Sequence, residues 1–198
     1  MMEDKIKKFW EWFSKNESMI APDKITNALV DKLNDMILSM GDYDWEIREG
    51  KNKENMLIIS PGGDPDLLES TQEIIKLSPN LKKWEFEYYK PAKAWDYRFS
   101  IDDGGLTRMI DASDWEYVLL KFPGSNYDII IKADSLKVLP EKYHFSSLNI
   151  ILESILGEKK RLELIENIDL VTEFPEEYIN QKGSIKFLND QLSDLEEV

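Results

Sequence analysis

The sequence predicts an α+β protein, in which an N-terminal helical hairpin precedes a mixed sheet of about six strands. Three observations lead to this prediction. Apolar residues in roughly the first 40 positions recur at the three-to-four-residue spacing of an amphipathic helix. From Tyr43 the apolar period changes to two, which is typical of a strand. Helix-like segments then alternate with strand-like ones, so we expect helices to pack on the sheet.

Residues 1–41 are predicted to form the helical hairpin. A first helix, from about Asp4 to Asn16, carries four apolar side chains on one face. These are Ile6, Phe9, Trp10 and Phe13. A second helix is expected to begin near Pro22, because proline is favoured in the first turn of a helix, and to end at Gly41.

Residues 43–91 are predicted to form a strand–strand–helix–strand unit. The apolar run at positions 56–60 fits a strand that is buried on both faces. The turn Ser60-Pro61-Gly62-Gly63-Asp64-Pro65 ends this strand and begins a helix, which stops at Pro79. A third strand follows, with aromatic residues alternating with glutamates from Trp84 as far as Pro91.

Residues 106–172 are predicted to repeat that order of elements. Two strands are expected on either side of Pro123, then a helix closed by Gly157, then a last strand from Arg161 to about Thr172. Asp44-Trp45-Glu46 also recurs as Asp114-Trp115-Glu116. An internal duplication explains this pattern, and so does a single sheet whose halves share only the order of elements.

The whole chain, residues 1–198, is expected to form a single domain, because a chain of this length with 42% apolar residues can bury one sizeable core. Residues 97–105 are predicted to form a short strand and a tight turn in the middle of the chain. Residues 175–198 are predicted to form an acidic, peripheral C-terminal segment with a short helix from Ile185 to Leu195.

The composition excludes several classes of function. With 25 basic and 39 acidic residues, the net charge of −14 argues against binding nucleic acid through a broad basic face. The absence of cysteine excludes thiol nucleophiles and cysteine-bound metals, and the single histidine, His144, excludes zinc sites with several histidines. The N-terminus lacks the pattern of a secretory signal, and no apolar run is long enough to span a bilayer. We therefore expect a cytoplasmic protein with no membrane association, no metal and no cofactor.

Six residues in the middle of the chain form the candidate interaction surface: Trp95, Arg98, Asp102, Asp103, Asp111 and Asp114. Tryptophan and arginine dominate the binding energy of many interfaces, and the periodicity of the chain leaves Trp95 unexplained. Trp95 is equally well explained as a side chain that fills the edge of the core. The aspartates fit a solvated hairpin turn, and the alternative is a cluster around a cation.

Three further features have both a structural and a functional interpretation. The turn at positions 60–65 is either a helix cap or an anion site. Glu85 and Glu87 are either the solvent face of a strand or a pair of catalytic carboxylates about 7 Å apart. His144 is either a hydrogen-bonded core residue or a general base. In each case the structural interpretation is favoured, so no residue is predicted to be catalytic.

Several short motifs resemble those of a family of uncharacterised bacterial proteins. These motifs are an FWxWF-like helix at positions 9–13, an ISPGG-like turn at 59–63, a W-x-F strand that begins at Trp84 and ends in Lys90-Pro91, and an LGE helix end at 156–158. The resemblance implies this architecture and a bacterial origin. It implies no activity and no catalytic residue.

The leading hypothesis is therefore a non-enzymatic, acidic interaction protein with a basic protein partner, for example an immunity-type inhibitor of a basic toxin. We expect the partner to bind near positions 102–114 or the segment from Glu158 to Val198, which carries eleven acidic and five basic residues. The alternative is a carboxylate-based enzyme, either metal-dependent or glycosidase-like. A dimerising structural module is a third hypothesis, and the oligomeric state stays open.

Overall fold

The chain has the α+β fold that the sequence predicts, in a computed structural model that describes residues 2–123 and 126–196. Contacts divide it into two compact units, Met1–Lys90 and Pro91–Val198. Within the described residues the strands form three small sheets, so the prediction of one sheet of about six strands is wrong. Periodicity marks each strand but does not reveal which strand edges pair. The prediction that residues 1–198 form a single domain stays a prediction.

The first unit contains the helical hairpin and the first strand–strand–helix–strand unit. Its elements are α1 (Met2–Ile20), α2 (Asn27–Met40), β1 (Asp44–Glu49), β2 (Asn55–Ser60), α3 (Leu68–Lys76) and β3 (Trp84–Glu87). Strand β2 lies in the centre of the sheet, antiparallel to β1 and parallel to β3. Helix α2 begins at Asn27 and not near Pro22, because the N–H groups of Lys24 and Ile25 donate to the carbonyl of Ala21 and close a separate turn.

Aromatic rings form the centre of the first unit's core. They are Phe9, Trp10 and Phe13 from α1, with Trp84 and Phe86 from β3. The Phe13 ring meets the Trp84 ring edge to face at 4.9 Å between centroids, a favoured geometry for aromatic pairs. Trp10 Nε1 donates to the carbonyl of Ile74, and Trp84 Nε1 donates to the carbonyl of Glu17. The apolar face predicted for the first helix is therefore the face that α1 buries.

The second unit contains a separate hairpin and a four-stranded sheet. Its elements are β4 (Arg98–Asp103), β5 (Leu106–Asp111), β6 (Glu116–Lys121), β7 (Tyr127–Lys132), α4 (His144–Leu156), α5 (Glu158–Leu164), β8 (Ile165–Val171), β9 (Gly183–Ser184) and α6 (Leu188–Glu196). Strands β4 and β5 pair only with each other among the described residues, and the larger sheet has the order β8-β7-β6-β9. None of the helices in residues 2–123 and 126–196 combines the length and the apolar character that a membrane crossing requires.

Strands β6, β7 and β8 repeat the arrangement of β1, β2 and β3. In both sets an antiparallel pair is followed by a helical crossover to a parallel third strand. The repeated unit begins at Glu116, because residues 106–111 belong to the separate β4–β5 hairpin. Its last strand begins at Ile165 and not at Arg161, since Arg161 lies in α5. This shared order is compatible with both interpretations of the repeat.

The C-terminal segment is part of the core of the second unit, although residues 175–198 were expected to be peripheral. Ile185, Leu188 and Leu192 are each fully buried and pack in the same cluster as Trp115. The Tyr117 hydroxyl also donates to the side chain of Gln191 on α6. Three buried positions at helical spacing anchor this segment, while the acidic side chains that the structure describes in it are exposed.

Candidate functional site

The six predicted interaction residues are spread over the β4–β5 hairpin and its flanks. Arg98 pairs with Asp111 at one end of the hairpin, whereas Asp103 lies five residues along β4 at the other end. At about 3.4 Å per residue the two ends are roughly 17 Å apart. The antiparallel register therefore places Asp111 at the opposite end of the hairpin from Asp102 and Asp103, although the three residues are close together in the sequence. Whether these residues contact a partner stays a prediction.

Most of these aspartates have partners in their own vicinity. A hydrogen bond from the Ser113 side chain has the largest effect on the pKa of Asp111. With the backbone N–H of Ser113 at 2.9 Å and Arg98 Nε at 3.0 Å, it lowers this pKa to about 2. Asp102 accepts from the N–H of Gly105, and Asp103 lies 4.0 Å from the ammonium of Lys142. No group of three or more potential metal ligands occurs among the residues that the structure describes. The hairpin aspartates thus act as turn and ion-pair residues.

Glu85 and Glu87, on β3, have different environments. Burial tends to raise the pKa of Glu85, but the N–H groups of Lys51 and Asn52 donate to its carboxylate and lower the pKa overall. Glu87 is half-buried, and this burial raises its pKa. In a pair of catalytic carboxylates, the general acid has the raised pKa and the general base the lower one. Glu87 and Glu85 show these two directions. Glu85 also has a structural role, because it caps the turn between β1 and β2.

The turn at positions 60–65 and His144 both have structural roles. The Asp64 carboxylate accepts from the N–H of Asp66 at 2.9 Å, so the protein itself occupies the start of the following helical turn. Gly62 has a φ of 62°, which favours glycine at this position. His144 Nε2 lies 3.1 Å from the carbonyl oxygens of Leu136 and Leu139, and an N–H at this atom satisfies both.

A groove along α1 was not predicted from the sequence. It has a volume of about 480 Å³ and lies between α1 and the segment that follows α3. Its lining consists of Glu3, Asp4, Lys7, Trp10, Glu11 and Ser14 from α1, with Leu77 and Pro79 from the other wall. Three carboxylates thus share the groove with one ammonium group, and Leu77 is 53% exposed. We define these eight residues as the acidic groove.

The geometry of two helices creates the acidic groove. Positions 3, 7, 10 and 14 follow the helical spacing of four, three and four residues, and positions 4 and 11 are seven apart. The side chains therefore lie along one stripe of α1, which shares Trp10 with the apolar stripe. Leu77 caps the C-terminal end of α3, where the helix dipole places partial negative charge. The spacing was visible in the sequence, but the second wall comes from a segment more than 60 positions away.

Trp95 fills the edge of the core, which is one of the two interpretations of this residue, and its contact with a partner stays a prediction. It packs against the core of the second unit, and it also lines a pocket of about 300 Å³. Tyr97 lines the same pocket with a φ of 63°, a left-handed conformation that costs a bulky residue about 1–2 kcal/mol. The ring centroids of Trp95 and Tyr97 are 5.8 Å apart. We define the residues that line this cavity as the Trp95 pocket.

Comparisons with known proteins do not assign the chain to a family. No family model matches it, and no curated protein or solved structure matches it. The resemblance to a bacterial family therefore stays a hypothesis.

Proposed function

We propose that this chain is a non-enzymatic interaction protein whose acidic groove binds a basic segment of a partner protein. The observation that supports this proposal is the presence of three carboxylates and one ammonium group around an exposed leucine in one groove. A bacterial origin, a cytoplasmic location and an immunity-type inhibition of a basic toxin are part of the same proposal.

Lysine and arginine side chains match this groove in both shape and charge. Their aliphatic stems pack on apolar surface such as Leu77 and Pro79, while their charged heads remain able to reach carboxylates. The dipole of α3 also places partial negative charge near Leu77, and Lys76 in its last turn offsets part of this charge. The net charge of −14 steers a basic partner toward the protein over a longer range, and salt weakens this steering. Glu3 and Asp4 also stabilise the positive end of α1, so these residues serve the helix as well as the proposed site.

The test is a fluorescence-anisotropy titration with a labelled peptide of alternating arginine and leucine. The groove variant combines Glu3→Gln, Asp4→Asn and Glu11→Gln. We expect it to bind about tenfold more weakly than the original chain, which corresponds to about 1.4 kcal/mol. Raising the salt concentration should weaken binding by the original chain more than binding by the variant. Circular dichroism verifies that α1 is still helical.

The matched control changes the same charges in the first unit, outside the acidic groove. It combines Asp31→Asn, Glu49→Gln and Glu69→Gln, all of which alter exposed side chains. The control should retain most of the affinity for the peptide. Equal losses in the two variants would show that net charge alone attracts the peptide, and this result would refute binding in the acidic groove, as would the absence of binding by the original chain.

A carboxylate-based enzyme is the second candidate function. It is favoured by the opposite displacements of the pKa values of Glu85 and Glu87. Their positions two apart on β3 place them about 7 Å from each other, the separation that inverting glycosidases use. Hydrolysis of a panel of aryl glycosides, lost in both Glu85→Gln and Glu87→Gln, would support this candidate. The absence of any hydrolysis across the panel would count against it.

A further inference from the structure

The Trp95 pocket has fixed walls in the second unit. The N–H of Lys93 donates to the carbonyl of Ser154 at 2.8 Å, so the segment that carries Trp95 is tied to α4. On the other side of Trp95, the carbonyl of Tyr97 accepts from the N–H of Ala112 at 2.9 Å. The second of these bonds joins Ala112 to Tyr97, which has a φ of 63°. Strain that the surrounding structure maintains is often found at ligand sites.

The indole group of Trp95 has an unused hydrogen-bond donor. Trp95 Nε1 is inaccessible to water and has no hydrogen-bond partner among the residues that the structure describes. Buried donors are paired in the large majority of cases, and an unpaired one calls for an explanation. The other buried indole groups with a described partner, such as Trp84 and Trp115, donate to a carbonyl or a hydroxyl. Trp95 Nε1, at the edge of the indole ring, has no such acceptor among the described residues.

The charge in the Trp95 pocket is opposite to that of the chain as a whole. Lys93 and Lys186 line it, and Asp190 is the one acidic residue in the lining. The Lys186 ammonium lies 5.8 Å from the centre of the Tyr97 ring. Asn189 also lines the pocket, and its side-chain oxygen accepts from Lys160, whose ammonium also pairs with Glu196. An anion is therefore attracted to this pocket although the protein is strongly acidic.

We propose that the Trp95 pocket binds a small aromatic carboxylate. Its ring would lie against the faces of Trp95 and Tyr97, and its carboxylate would be held by Lys93 and Lys186. Because Trp95 Nε1 is inaccessible to water, the ligand would contact the indole ring and not this N–H. The volume of about 300 Å³ is at the lower limit of ligand pockets and suits a ligand of one or two rings. The Trp95 pocket lies in the second unit and would bind an anion, whereas the acidic groove lies in the first unit and would bind a basic segment.

The test is an NMR titration of the full chain with ¹⁵N-labelled tryptophan. The indole resonance of Trp95 is identified by its loss in Trp95→Phe. We expect benzoate to shift this resonance with a saturable curve. Benzamide has the same ring without the charge, and cyclohexanecarboxylate has the charge without the aromatic ring. Each of these two probes should bind at least about tenfold more weakly than benzoate, the loss expected for one missing charged or stacking interaction.

Lysine variants show whether the pocket itself is responsible. Lys93→Gln and Lys186→Gln should each weaken benzoate binding by about fivefold or more, a loss within the range for one charge-assisted hydrogen bond. Lys137→Gln is the matched control, since Lys137 lies in the same unit but pairs with Asp134 outside the pocket. The proposal is refuted by an unchanged Trp95 resonance at about 10 mM benzoate, tenfold above a Kd of 1 mM. Equal effects of benzoate and benzamide, or of the control and pocket variants, would also refute it.

Discussion

Phe13→Ala is the sharpest test of how the first unit is stabilised. Phe13 is completely buried, and its ring lies 4.9 Å from Trp84, 5.6 Å from Phe86 and 5.9 Å from Trp10 between centroids. Removing a buried phenylalanine side chain costs about 3–5 kcal/mol. Lost edge-to-face contacts cost roughly another 0.5–1.5 kcal/mol per pair, and part of this cost is already included in the first figure. We therefore expect the free energy of unfolding to fall by about 4 kcal/mol.

Urea unfolding followed by tryptophan fluorescence measures this loss. Trp10 and Trp84 lie beside Phe13, so the emission of the folded variant should also change. With an m value of about 2 kcal/mol/M, the midpoint of the transition that reports on the first unit should shift by roughly 2 M. Phe13→Leu keeps most of the apolar volume and should lose less than about half as much stability.

Phe145→Ala is the control for the Phe13 experiment. Phe145 is 60% exposed on α4, so its replacement should change the free energy of unfolding by less than about 0.5 kcal/mol. If Phe13→Ala costs less than about 1 kcal/mol, or no more than Phe145→Ala, then the aromatic cluster does not stabilise the first unit in the way described.

Three further predictions concern ionisable groups. Burial raises the folded-state pKa of Glu87, so the ionisation of Glu87 destabilises the fold as the pH rises through that pKa. The difference between the urea midpoints at pH 4 and pH 7 should therefore be smaller in Glu87→Gln than in the original chain. The pKa of Asp111 is lowered to about 2, so its stabilisation is present above its unfolded pKa of 3.8 and is lost as the pH falls toward 2. Asp111→Asn should accordingly lose less stability over that range, whereas equal acid sensitivity would contradict the assignment. Burial raises the pKa of Tyr117 to about 12. In an ultraviolet titration, Tyr117→Phe should therefore lack one phenol that ionises near pH 12. An identical titration curve near pH 12 in the variant and the original chain would contradict this assignment.

Much of the fold follows from local patterns. The apolar stripe of α1 and the two-residue period of β1 and β3 predict these elements, since a buried face must recur at the period of the backbone. The continuous apolar run of β2 predicts a strand buried on both faces. The turn at positions 60–65 also behaves as its proline, glycine and aspartate residues predict. Local patterns predict the type of a segment less well where its buried residues do not recur at a fixed spacing. The sequence from Arg161 alternates well enough for a strand, but the residues up to Leu164 are helical.

The candidate sites depended more strongly on tertiary structure. The sequence drew attention to Trp95 because no local pattern accounted for it, and this residue lines a pocket with Tyr97. Nothing in the local sequence indicates that Lys186 and Asp190 join it, because they are about 90 positions away. The acidic groove likewise needs both α1 and Leu77. A polar stripe on a helix has the same pattern whether it faces bulk water or the wall of a groove.

The α+β class, the helical hairpin and the order of elements in both strand–strand–helix–strand units follow from the amino-acid sequence alone. These features depend on backbone period and turn chemistry, which neighbouring residues specify. Three other features became visible in the folded chain: the described strands form three sheets, Ile185, Leu188 and Leu192 complete a core, and distant side chains line the acidic groove and the Trp95 pocket. Pairing and burial are contacts between residues far apart in the chain, and no short stretch of sequence contains both partners.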